Sequence, residues 1–139
     1  MDTVWLAPVY PQACFRLGFL LVDKGDYQGA LHWLLFGGRM EPHRGLFPLE
    51  AAHAYALLGK HAEAVTCFAQ AAELSGDNDR ERAAALRGMG ISLIDLGRLA
   101  EAEKNLRASL AADPDNPAAV AKAGDELAYI AMLRARGMG

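Results

Sequence analysis

A repeat of about 34 residues constrains this chain more than any other feature of its sequence. Three related phrases, KGDYQGAL, LGKHAEAV and LGRLAEAE, each place a glycine and an alanine at matching positions. Counting from those glycines divides the sequence into three blocks, residues 11–44, 45–78 and 83–116, with four residues inserted before the third. Self-similarity at this period predicts a stack of units, each of which buries its apolar face against its neighbours.

Small and bulky residues recur at fixed columns of the aligned blocks. Columns 8, 20 and 27 hold only glycine, alanine or serine, and a small residue at a matching position allows two helix backbones to approach closely. Columns 11 and 24 hold bulky residues that fill the space between these contacts. In block order the columns contain Gly18, Ala52 and Gly90 (column 8), Leu21, Tyr55 and Leu93 (column 11), Ala30, Ala64 and Ala102 (column 20), Leu34, Phe68 and Leu106 (column 24), and Gly37, Ala71 and Ser109 (column 27).

Each block is divided into two helices by a glycine at column 15 and ended by a helix breaker at column 32. A glycine suits a left-handed cap at the end of a helix, and proline cannot continue one. These two columns contain Gly25, Gly59 and Gly97, and then Pro42, Gly76 and Pro114. Helices are therefore predicted over residues 12–24, 27–40, 47–58, 61–74, 79–96, 99–112 and 117–135.

The composition supports an all-α chain. Alanine and leucine supply 47 of the 139 residues, and both are strong helix formers. One local departure is the pair Gly37-Gly38, because two glycines late in a helix cost roughly 1 kcal/mol each relative to alanine. Column 27 requires a small residue and explains Gly37, whereas no column explains Gly38.

The columns closely resemble the tetratricopeptide repeat (TPR), which has small residues at columns 8, 20 and 27, a large one at 24 and often proline at 32. The resemblance covers residues 11–116. It implies a right-handed α-solenoid of three helix-turn-helix repeats, with residues 117–135 as a C-terminal capping helix. Residues 11–139 are expected to form a single TPR domain, preceded by an apolar segment at residues 1–10.

The first helix of each block carries more apolar residues than it needs to pack against its neighbours, and the additional ones form a second apolar stripe. In TPR proteins columns 2, 5, 9, 12 and 13 line a concave groove that holds peptides, so the resemblance implies a mainly apolar groove here. The residues predicted to line it are Phe15, Phe19, Val22, Leu46, Leu49, His53, Leu57, Arg87, Ile91 and Ile94. The alternative is that the chain's own N-terminus, with Val4, Trp5 and Leu6, fills this groove.

The family's binders of acidic C-terminal tails use Lys, Asn and Arg at columns 2, 5, 6 and 9 to clamp a carboxylate. In this sequence those positions are mostly Phe15, Phe19, Glu50 and Ala84. The only cations on helix faces near the groove are Arg16 and Arg87. Binding of acidic tails is therefore disfavoured.

The sequence contains no pattern typical of catalysis, of a cofactor or of a metal site. Glu50 and His53 form half of a di-iron Glu-x-x-His pattern, but no second Glu-x-x-His occurs. Cys14 and Cys67 lack metal-type spacing and are interpreted as two reduced thiols of an intracellular protein. We therefore expect neither enzymatic activity nor a bound cofactor or metal.

The charge pattern excludes other classes of partner. The net charge is −3, and no basic stripe indicates nucleic-acid binding. No apolar run is long enough to span a bilayer, and no cation precedes Arg16 as a signal peptide requires, so a cytoplasmic protein is expected. The sequence favours a non-catalytic protein–protein interaction module that binds an apolar helical or extended segment. The alternatives are a cytoplasmic TPR chaperone of the type III secretion kind, or a structural protein that self-associates as a homo-oligomer.

Overall fold

The computed structural model describes residues 10–138, and this part of the chain contains seven helices and no strand. The chain is therefore all-α, as predicted, and each helix agrees with its predicted span to within two residues. The predicted N-terminal segment, with Val4, Trp5 and Leu6, lies outside the described residues except for its last member, which begins the first helix. The helices are α1 (Tyr10–Asp23), α2 (Tyr27–Met40), α3 (Leu46–Leu57), α4 (His61–Leu74), α5 (Asp79–Asp95), α6 (Leu99–Ala112) and α7 (Pro117–Ala135).

The helix boundaries follow from local capping chemistry. Asp26, Asn78 and Asn116 each accept a hydrogen bond from the backbone N–H three residues further on, at 3.0, 3.0 and 3.3 Å. These bonds satisfy amides that the first turns of α2, α5 and α7 cannot pair internally. Pro117 occupies the first turn of α7, where a missing N–H costs nothing.

The glycines of column 15 end the first helix of each repeat in the left-handed conformation. Gly25, Gly59 and Gly97 have φ angles of 85°, 77° and 77°, which residues with a Cβ rarely adopt. The prediction of a left-handed cap at this column is confirmed. The turn reverses the chain, so that the second helix of each repeat packs back on the first.

Close contact between the two helices of a repeat depends on columns 8 and 24. A Cβ at Gly18 would lie 2.5 Å from Leu34 Cγ, and a Cβ at Gly90 would lie 2.7 Å from Leu106 Cγ. Both leucines are fully buried. The predicted combination of a small residue at column 8 and a bulky residue at column 24 is confirmed.

Within residues 10–138 the core consists of three apolar clusters, one for each repeat. Each cluster contains the column-24 residue of its repeat, namely Leu34, Phe68 or Leu106. Helix α7 covers the last cluster with Ala123 and Ile130, which are both buried. This continuous stack of clusters makes the described part of the chain an all-α solenoid of paired helices.

The first and second helices of the repeats differ in their neighbours. α1 contacts α3, α3 contacts α5, and α5 contacts α7, so the first helices form one layer together with the terminal helix. The second helices α2, α4 and α6 pack mainly on the helices before and after them in the chain. Among residues 10–138, no helix has both the length and the apolar character needed to cross a membrane.

Candidate partner-binding surface

The residues predicted to line a groove all lie on α1, α3 and α5, which contact one another in sequence. The fold therefore places these residues on a single layer of helices. The structure divides them into two depressions, a set of supporting residues and one exposed residue at the end of α3, described in turn below.

The first depression lies on α1 and has a volume of about 400 Å³. It is lined by Phe15, Arg16, Phe19 and Leu20. Phe19 and Leu20 are 53% and 54% exposed, which is high for large apolar side chains. Phe15 is half-buried, and its ring packs edge-on against Phe47 at 5.7 Å between centroids. The depression thus has a firmly packed wall and an open apolar rim.

The second depression lies between α3 and α5 and has a volume of about 150 Å³. The His53 ring packs edge-on against the buried Phe68 ring at 5.2 Å between centroids. A Cβ at Gly88 would collide with the Phe68 ring, so the glycine makes room for this pair. The lining consists of His53, Ala56, Phe68, Ala84, Arg87, Gly88, Ile91 and Ser92.

Other predicted groove residues support the surface from below. Leu49 and Ile94 are only 7% and 8% exposed and belong to the apolar clusters of the second and third repeats. Val22 and Leu46 are half-buried and pack against the first two clusters. Leu57 is exposed at the end of α3, outside both depressions. The surface available to a partner is therefore narrower than the predicted set of ten residues.

Leu20, Gly88 and Ser92 also contribute to the depressions, although the sequence analysis did not select them. Gly88 could have been selected from the sequence. It lies two residues before Gly90, the column-8 glycine, and contact within the repeat does not require a second glycine there. Leu20 gave no such signal, since its column is not one that lines the groove in the family pattern.

One titratable pair and two cysteines were singled out in the sequence as candidates for chemistry. Glu50 Oε2 lies 3.7 Å from His53 Nδ1, and no group of three metal-binding side chains occurs among residues 10–138. Burial raises the pKa of the Cys14 thiol, and burial followed by the charge of Glu63 raises the pKa of Cys67. Both thiols therefore form the nucleophilic thiolate less readily than a free cysteine does.

Comparisons with known proteins agree with this architecture of helix-turn-helix repeats. The sequence model of the tetratricopeptide repeat matches residues 48–115. The first TPR of Spaghetti (RPAP3), bound to the HSP90 peptide SRMEEVD, has a TM-score of 0.80 at 25% identity, with 91% of this chain and 94% of that chain covered. No curated protein sequence matches the chain.

Two further structures share the fold at lower identity. The Yersinia enterocolitica type III secretion chaperone SycD, in complex with a peptide of the translocator YopD, has a TM-score of 0.79 at 17% identity over 88% of this chain and 93% of that chain. The N-terminal domain of STI-1 from C. elegans has a TM-score of 0.73 at 22% identity, covering 84% and 93%. With the repeated columns and the seven helices, these findings define the class as an α-solenoid of paired helices. Residues 10–138 have the fold of a tetratricopeptide repeat domain, and residues 48–115 match the sequence model of that repeat.

Proposed function

We propose that this chain is a non-catalytic protein–protein interaction module that binds an apolar segment of a partner protein on its layer of first helices. The observation that carries the proposal is the exposure of Phe19 and Leu20 beside Phe15, around a depression of about 400 Å³. Exposed apolar patches on folded proteins mark interaction sites, and aromatic residues beside an arginine are typical of the residues that dominate binding energy. Arg16 lines the same depression.

The partner segment is proposed to be apolar rather than an acidic tail. The RPAP3 domain is bound to the acidic peptide SRMEEVD, and its 25% identity to this chain makes the same ligand an obvious alternative. The positions where acidic-tail binders of the family have polar and cationic residues are here mostly Phe15, Phe19, Glu50 and Ala84. The Phe15 and Phe19 rings offer apolar surface, and the Glu50 carboxylate repels a peptide carboxylate.

The likeness to SycD extends to the fold alone at 17% identity. A role as a type III secretion chaperone therefore stays an alternative, as does self-association through this same surface. We include in the proposal that residues 11–139 act as one domain. We also include a cytoplasmic location, which the two free cysteines, Cys14 and Cys67, support because disulfides are rare in that compartment.

A capture experiment with matched variants tests the proposal. Immobilised wild-type chain, Phe19→Ala and Met132→Ala are each incubated with lysate of the source cell, and bound proteins are quantified. Met132 is the control, because it is also exposed but lies on α7. Removing a buried aromatic costs about 3–5 kcal/mol, so the exposed Phe19 is expected to cost far less stability.

We expect Phe19→Ala to lose bound partner, or self-association measured by light scattering, while its melting temperature stays close to that of the wild type. Met132→Ala is expected to retain both. A large fall in melting temperature for Phe19→Ala, with no effect on association, would show that Phe19 belongs to the ordinary core and would end the proposal. Capture of a partner through an acidic C-terminal tail would support the proposed interaction module but would show that its ligand is not an apolar segment.

A further inference from the structure

A cleft of about 620 Å³ lies between α2 and α4, and it shares no lining residue with the two depressions described above. Its walls come from both helices, from the loop that joins α2 to α3, and from the first turn of α3. None of the ten residues predicted to line the groove belongs to it. Its volume falls within the range of small-molecule sites, roughly 300–1,000 Å³.

Two of the residues that line this cleft depart from the repeat pattern. Gly38 and Pro48 both line it, at columns 28 and 4 of their blocks. The third block has Leu110 and Leu86 at these columns, so the repeat accepts large side chains there. A Cβ at Gly38 would be in ordinary contact with Phe47 Cβ at 3.4 Å, so packing does not demand a glycine. Gly38 therefore leaves part of the cleft free of a side chain without being required by packing.

The walls combine apolar side chains with an unbalanced positive charge. Three charged residues line the cleft: Arg39, Glu41 and Arg44. Arg44 Nη1 is paired with Glu41 Oε1 at 3.2 Å. Arg39 has no carboxylate partner among residues 10–138, and its guanidinium carbon lies 5.6 Å from the centroid of the Phe36 ring. One guanidinium beside an apolar cleft matches a ligand with an apolar body and one negative group.

We propose that this cleft binds an apolar small molecule that carries a single carboxylate. Its apolar body lies over Gly38 between α2 and α4, and its carboxylate pairs with Arg39. The ligand is independent of the partner segment on the layer of first helices, because the two surfaces have separate linings.

Cys67 provides a built-in reporter for this site. Its half-buried side chain lines the cleft, whereas Cys14, the only other cysteine, is 1% exposed. The rate of alkylation of Cys67 by iodoacetamide is measured in mildly alkaline buffer, with decanoate as the probe and decanol as its uncharged counterpart. We expect decanoate to slow the reaction saturably, and decanol to protect about tenfold less tightly, because it lacks the charge-assisted contact with Arg39.

Two variants assign the protection to the cleft. Gly38→Leu fills the space and is expected to abolish decanoate binding measured by calorimetry, while Gly124→Leu, at a helical glycine with no neighbour within 4 Å, leaves it unchanged. Arg39→Gln is expected to weaken decanoate about tenfold and to leave decanol unaffected. Because Arg39 is exposed, Arg39→Gln is expected to fold, and it tests the proposal even if Gly38→Leu does not fold.

Each of the following results would overturn the proposal: unsaturable protection by decanoate, equal protection by decanoate and decanol, full decanoate binding by Gly38→Leu, or undiminished decanoate binding by Arg39→Gln. Tighter protection by N-acetyl-Trp-Glu-amide than by decanoate would also overturn it, by assigning the cleft to a protein segment.

Discussion

Gly18, Gly90 and Gly124 occupy the same column of the repeat, column 8, but have different neighbours in the structure. Gly90 follows Gly18 by 72 residues, and Gly124 follows Gly90 by 34. Gly18 and Gly90 lie against Leu34 and Leu106 of the following helix, and a Cβ at either position would lie within 2.7 Å of the leucine Cγ. Gly124 holds the same column of α7, but a Cβ there would meet nothing within 4 Å. All three residues are glycines, but only Gly18 and Gly90 lie against a leucine of the helix that follows their own.

We expect the change from glycine to alanine to have opposite effects at Gly124 and Gly90. At Gly124 the methyl group improves helix propensity and should stabilise the chain by about 0.5–1 kcal/mol. At Gly90 it would lie 2.7 Å from Leu106 Cγ and 3.3 Å from Ala102 O, and should destabilise by roughly 1–3 kcal/mol. Urea unfolding of the two variants measures both, and effects of the same sign would contradict the contact at column 8.

At the scale of the helices, α5 and α7 bring carboxyl groups together. Burial, followed by the charges of Asp95 and Asp125, raises the pKa of Glu126 on α7 above its ordinary value of 4.5. The folded chain therefore holds a proton on Glu126 more strongly than the unfolded chain does. Ionisation of Glu126 opposes folding, and this cost grows as the pH rises above 4.5 and is complete once the pH exceeds the raised pKa.

We expect Glu126→Gln to raise the melting temperature at neutral pH, because the neutral amide removes a half-buried charge that lies near Asp95 and Asp125. The gain should shrink as the pH falls through the raised pKa and disappear below 4.5, where the wild-type carboxyl is neutral in both states. Glu101→Gln is the control of opposite sign, because the side-chain hydrogen bond from Arg98 lowers the pKa of Glu101. Thermal unfolding over a pH series measures both. A gain from Glu126→Gln that is independent of pH would contradict the assignment.

The helices themselves were predictable because their signals are local. Asn78 and Asn116 are caps that act within three residues, and Gly59 and Gly97 supply a backbone conformation within a single turn. Such signals need no information about the rest of the chain. Gly38 was not explained from sequence, because its surroundings include α4, about 30 residues further along the chain.

At the scale of the whole molecule, the described residues leave apolar side chains of α1 open. Leu17 is exposed on this helix together with Phe19 and Leu20. A repeat before α1 would cover part of this helix, and no described residue does so. The proposed function requires Phe19 and Leu20 to stay accessible to a partner.

We therefore expect deletion of residues 1–8 to leave the fluorescence of bound 8-anilinonaphthalene-1-sulfonate unchanged, because this dye reports exposed apolar surface. A rise in fluorescence, accompanied by aggregation, would show that Val4, Trp5 and Leu6 cover the apolar surface, and would contradict an open groove. Phe19→Ala in the full chain is the control and should lower dye binding by removing part of the surface itself.

The sequence by itself determined the repeat, the helices and the contacts within each repeat. Column 15 sets the turn between two helices, and columns 8 and 24 set the contact between helices that are adjacent in the chain. The structural role of these columns can therefore be predicted from the sequence alone. Gly18 with Leu34, and Gly90 with Leu106, are pairs that the repeat register alone predicts.

Only the tertiary structure decided which of these apolar residues are exposed. Phe19 and Leu49 both belong to columns that line the groove in the family, yet Phe19 is open and Leu49 is buried. The difference arises because exposure depends on how far neighbouring helices and their side chains reach over a residue. Leu49 lies in a cluster with residues of α4 and α5, whereas no described helix precedes α1. The cleft beside Gly38 has the same origin, since its walls come from three helices and a loop.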